Sequence, residues 1–109
     1  MQDTTKKGRV YLSGPITGTN DYMEKFAQAE AALTAAGYAV INPARICQPL
    51  MDAAFTWQEY LDLDLYLLSR CTKICMLPGW EKSRGARMEL AYAAEHGIAA
   101  MHLDMAKIQ

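Results

Sequence analysis

The sequence predicts an α/β fold: a small doubly wound parallel sheet of four to five strands, order 2-1-3-4, with helices on both faces. Three observations carry this. Short apolar runs of strand length alternate with stretches whose apolar residues recur at helical spacing. The runs end in Gly- or Pro-containing turns, which separate strand from helix. At 109 residues the chain has room for one core and one domain, and 51% hydrophobic residues are enough to fill it. Alternation of this kind implies right-handed crossovers and a sheet covered on both sides.

The elements follow in order. Residues 2–8 read as a frayed polar lead without the apolar stretch of a signal peptide. Arg9 to Ser13 is the first strand, with Val10 and Leu12 on one face and Tyr11 and Ser13 on the other. It runs into Gly14, Pro15, Ile16, Thr17 and Gly18. This loop is neither a Walker loop nor a dinucleotide fingerprint. Its small residues and free amides suit a sugar or phosphate, and equally suit a plain strand-to-helix turn.

Asp21 and Glu24 predict a capping box. Tyr22, Phe26, Ala29, Leu33 and Ala36 then give a helix its buried stripe. Gly37 ends that helix, and Tyr38 to Ile41 is a second strand closed by Asn42 and Pro43. From Ala44 to Phe55 no period is visible, which predicts a loop able to fold over a ligand. Thr56 and Glu59 form a second capping box, with Phe55 and Tyr60 at hydrophobic-staple positions. In the helix that follows, to about Arg70, Trp57, Tyr60, Leu61, Leu65, Leu67 and Leu68 share one face. Asp64 falls in the middle of it. A carboxylate there is costly unless it is hydrogen-bonded or borders a cavity, so Asp64 is either functional or a buried cap.

Ile74 to Leu77 is a third strand, broken by Pro78 and Gly79. Ser83 is placed to cap the next helix, Gly85 lies in its first turn and Gly97 stands where it ends. Glu89 has no Lys or Arg three or four residues away and faces the side of Gly85, Ala93 and His96, turned from Arg84 and Arg87. It reads either as a reactive carboxylate above a strand end or as an ordinary surface glutamate. Ile98 to Leu103 is the fourth strand, with His102 as a packed or rim residue. The last six residues look frayed. Most of the methionines, Met23, Met51, Met76, Met88, Met101 and Met105 among them, read as core filler.

Composition narrows the function classes. A net charge of −1 argues against an electrostatic footprint for a nucleic acid polymer. No run approaches a membrane span. Three cysteines at spacings unlike a zinc knuckle predict reduced thiols in a cytoplasm and neither a metal nor a cofactor. In a sheet of the stated order the ligand sits beyond the strand ends, between Gly14–Gly18 and Pro78–Gly85, with Tyr11, Asp64 and Glu89 approaching it.

Three segments together resemble the nucleoside 2-deoxyribosyltransferase superfamily, and within it a small branch related to the 2′-deoxynucleoside 5′-monophosphate N-glycosidases. They are VYLSGPITG at 10–18, the Asp64-Leu65 pair ahead of Thr72, and SRGARMELAYA at 83–93. The resemblance implies a Rossmann-like fold and a covalent mechanism on the N-glycosidic bond of a nucleoside or nucleotide. Glu89 matches the nucleophile, Asp64 the acid and Tyr11 a tyrosine that orients the nucleophile. Ser13, the Gly14–Gly18 loop, Ser83 and Gly85 are the implied substrate contacts. Ser83 stands where transferases of free nucleosides tend to carry Asp, which favours a 5′-monophosphate. Trp80 is either a base-stacking residue or a rim tryptophan. The alternative reading is a non-catalytic nucleotide or nucleotide-sugar sensor on the same fold. A homo-oligomer is expected, because Ile46, Leu50, Met51, Phe55 and Trp57 exceed what one thin layer hides.

Overall fold

Alternation decides the first strand: β1 (Arg9–Ser13) sends Val10 and Leu12 to one face of the sheet and Tyr11 and Ser13 to the other, and all four are buried. The structure is a computed structural model that describes residues 7–16 and 18–104. Expectations for residues 2–6, Thr17, Met105 and the rest of the tail lie outside the described residues. Around β1 stand β2 (Ala39–Ile41), β3 (Lys73–Met76) and β4 (Ala99–His102), in the order β2-β1-β3-β4. Every pairing is parallel; Tyr11 lies opposite Ile41 on one side and Ile74 on the other.

Helices cover both faces, as predicted. On one, α1 (Tyr22–Ala35) packs Phe26, Ala29 and Leu33 against Val10, Leu12 and Cys75. Burying Phe26 and Leu33 stabilises the fold by roughly 1.5–3 kcal/mol each. On the other, α3 (Trp57–Ser69) and α4 (Arg84–Glu95) bring Leu68, Ala86 and Ala93 onto Tyr11, Ile74 and Met76. Among the described residues no helix is long and apolar enough to cross a membrane.

Several local expectations are corrected. The capping box at Asp21 does not form: the carboxylate pairs with Lys25 at 3.4 Å and caps no amide. Ala36, expected in the buried stripe, is exposed at the helix end. The loop expected over 44–55 is largely helical. Its first part is α2 (Pro43–Cys47), started by Pro43 and by the Asn42 side chain, which accepts from the Arg45 amide at 3.3 Å; a 3-10 segment, Gln48–Ala53, follows. Both pieces are too short to show a period in the sequence. Trp57 and the methionines Met51 and Met88 are exposed rather than in the core. The box at Thr56 is complete, and Phe55 and Tyr60 meet with ring centroids 5.3 Å apart.

Candidate active site

Ala86 and Ala93 are small enough for α4 to lie close on the sheet, and that closeness carries Glu89, between them, to the end of β1. There Glu89 is only 6% exposed. It has no intrahelical partner, but it is not unpaired. The Tyr11 hydroxyl donates to Oε2 at 2.8 Å and the Ser13 hydroxyl donates to Oε1 at 2.6 Å. These donors stand two residues apart on one strand, the separation that puts side chains on the same face. The lone surface glutamate of the plain sequence reading is therefore corrected to a buried carboxyl with both oxygens engaged.

Burial pushes the Glu89 carboxyl up to about 7. The Ser13 hydroxyl opposes that rise, the Asp64 charge adds to it and the Tyr11 hydroxyl again opposes it. The Tyr11 hydroxyl is itself driven well above its ordinary range, first by burial and then by Glu89 and Asp64, so it stays protonated and stays a donor. Asp64, on the inner side of α3, is half-buried and raised by burial to about 6. Its one side-chain partner among the described residues is Cys47 at the end of α2, whose thiol donates to Oδ1 at 3.5 Å. Burial and then the neighbouring Asp64 push that thiol to about 12, so it remains neutral.

Both carboxyl groups border one cavity of about 720 Å³ at the C-terminal ends of β1 and β3. That is where a doubly wound sheet binds ligands, and the volume suits a small organic molecule. Its lining includes Tyr11, Gly14, Pro15, Ile16, Ser83, Gly85 and Glu89. Gly14 is required there: a Cβ would stand 2.9 Å from the Leu77 Cβ. Gly85 is the reverse case, with no atom within 4 Å of an added Cβ, so its backbone faces open space. Ser83 caps α4 by accepting from the Ala86 amide at 3.2 Å, which leaves its own O–H free to donate.

Not every expected residue meets the cavity. Ser13 acts through Glu89 and does not line it, and Gly18 is exposed outside it. Trp80 also lies elsewhere, packed beside α4 with its ring 6.0 Å from that of His102. Conversely, the cavity wall includes Cys47, Trp57, Tyr60, Lys82 and Arg84, none of which the sequence singled out as ligand contacts. Cys47 reaches it through the unforeseen α2. Arg84 does so because a side chain in the first turn of a helix can fold around the helix end, which a wheel does not represent.

Comparison with known proteins agrees on the fold. The family described as "Domain of unknown function (DUF4406)" matches residues 8–102. Among solved structures, a 2-deoxyribosyltransferase from the psychrotolerant bacterium Bacillus psychrosaccharolyticus is similar, with a TM-score of 0.68 at 17% identity. The match covers 86% of this chain and 70% of that one. That protein is described as a biocatalyst for the synthesis of nucleosides. No curated protein matches.

Proposed function

The chain belongs to the DUF4406 family, whose description assigns no activity, and we propose its function from the site: cleavage or transfer at the N-glycosidic bond of a nucleoside or nucleoside 5′-monophosphate. One observation carries the reading. A buried carboxyl with a hydroxyl donor on each oxygen shares a cavity with a second carboxyl of raised affinity for protons. Cleavage through a covalent ester needs two such groups in different roles.

In the first step the ionised Glu89 attacks C1′ and the C1′–N bond breaks, while Asp64 gives its proton to the departing base. In the second, Asp64 takes a proton from water or from an acceptor base. That nucleophile attacks C1′ and the Glu89 ester bond breaks. Burial leaves Glu89 at about 7 and Asp64 at about 6, so in the free site the proton favours Glu89. The hydroxyls of Tyr11 and Ser13, which bind the anion better than the acid, keep the reactive arrangement, with Glu89 ionised and Asp64 protonated, within reach. The 5′-phosphate belongs at the start of α4, where Ser83 offers a free O–H and the first helical amides have no intrahelical acceptor.

The site would work in a homo-oligomer, which the exposed Ile46, Met51 and Trp57 support. Three free thiols suit a reducing compartment such as the cytoplasm.

Chromatography of a nucleoside and nucleotide panel, scored for free base, tests the function. The protein should release base from at least one member, and Glu89→Gln should lose this by about 10³-fold or more, as expected when a nucleophile is removed. Intact-mass measurement of the quenched reaction should show one sugar adduct on the natural protein and none on the variant. Release of base at equal rates by both would refute the assignment.

A further inference from the structure

Charge in the cavity is sorted by depth. Asp64 and Glu89 occupy its inner end, while Lys82 and Arg84, both exposed, stand at the outer end beside Ser83. Arg84 is the first residue of α4 and Trp57 the first of α3. The two helices start side by side, and the Arg84 guanidinium carbon lies 4.4 Å from the centre of the Trp57 ring. Trp57 is 40% exposed and borders the cavity, so the pair forms part of the mouth.

Two features make this more than a surface contact. The ion pairs among the described residues are Asp21 with Lys25 and Glu30 with Arg45, so Arg84 has no carboxylate partner there. Among the described residues its charge is met by the indole face. Among the same residues no hydrogen bond takes up the guanidinium either. Its N–H edge remains free, in the fork geometry that matches two phosphate oxygens.

We propose that Arg84, held over Trp57 at the cavity mouth, is the residue that selects substrates carrying a terminal phosphate monoester. The phosphate sits between the Ser83 hydroxyl, the first amides of α4 and the edge of the guanidinium. Trp57 is a positioning residue: it fixes the plane of Arg84 and makes no contact with phosphate itself. The inference rests on reading the cavity as a nucleotide site. It adds a discrimination that the carboxyl pair does not provide, because Asp64 and Glu89 repel an anion and have to be kept away from it by a cation at the far end.

The experiment compares the natural protein with Arg84→Gln, Arg84→Lys, Trp57→Leu and Trp57→Phe. Deoxynucleoside 5′-monophosphates and their parent nucleosides serve as probes, in base release and in calorimetric binding. Arg84→Gln should weaken monophosphates roughly ten- to hundredfold, through KM and not kcat, and affect nucleosides far less. Arg84→Lys keeps the charge without the planar fork and should lie between. Trp57→Leu should lose part of the preference, and Trp57→Phe, which keeps an aromatic face, should restore it. Equal effects of Arg84→Gln on both classes, or none on either, overturn the proposal, as does Trp57→Leu behaving like the natural protein. The two readings fail separately. A protein that releases base from neither class refutes the glycosidic reading, and calorimetry of the same monophosphates still decides the role of Arg84.

Discussion

A carboxyl group removed from water stays ionised only where donors replace the lost hydration. At Glu89 two hydroxyls do so in part, and burial still lifts it from 4.5 to about 7. The native state therefore favours the protonated form. For a carboxyl whose value is raised on folding, the associated stability is fully present below about 4.5 and is lost as pH climbs through about 7. The loss is on the order of 3 kcal/mol. Glu89→Gln, neutral at every pH, escapes it. Thermal melting should show the variant gaining on the natural protein between pH 5 and pH 8, and a gap that stays constant with pH would contradict this account. Alanine is the poorer test, because at a buried position it leaves both hydroxyls without an acceptor. The sequence displayed one part of this residue's character, the absence of a cation within a helical turn. Its burial was not legible, since that depends on how closely Ala86 and Ala93 let α4 approach the sheet.

Helix starts show where local chemistry suffices and where it does not. Thr56 and Glu59 make their reciprocal bonds at 3.1 and 2.8 Å, as the sequence pattern predicts. Asp21 and Glu24 show the same pattern and fail, because Asp21 has ψ of 17° instead of an extended backbone and its carboxylate turns to Lys25. A capping pattern thus identifies candidates, and the chain entering the helix decides among them. The start of α4 is also where stability and function part company. Gly85 sits in a helix with nothing within 4 Å of an added Cβ, so Gly85→Ala should stabilise the protein by about 0.5–1 kcal/mol. The same methyl projects into the cavity and should raise KM severalfold. Denaturant titration and steady-state kinetics on one preparation check both. A variant that is more stable and fully active would show that the ligand keeps clear of this backbone.

For the whole molecule, sheet order and the covering of both faces were legible, because alternation and parallel crossovers leave few topologies. The cavity wall was less so: α2 and the 3-10 segment that follows it supply Cys47, Gln48 and Met51 from a stretch without a period. The same stretch leaves Ile46 and Met51 exposed, at 41% and 62%. A second copy covering them would also keep bulk water from the cavity. Light scattering at micromolar concentration should give a mass above the 12.1 kDa of one chain. A monomer with full activity would remove that role for the apolar rim. The buried Glu89 carboxyl and its two hydroxyl donors lie 78 and 76 positions apart along the chain. A ribosome therefore makes Tyr11 and Ser13 long before Glu89, and a nascent chain or an amino-terminal fragment holds the donors without the group they orient. On the proposed reading, glycosidic cleavage is thereby withheld until translation has passed α4.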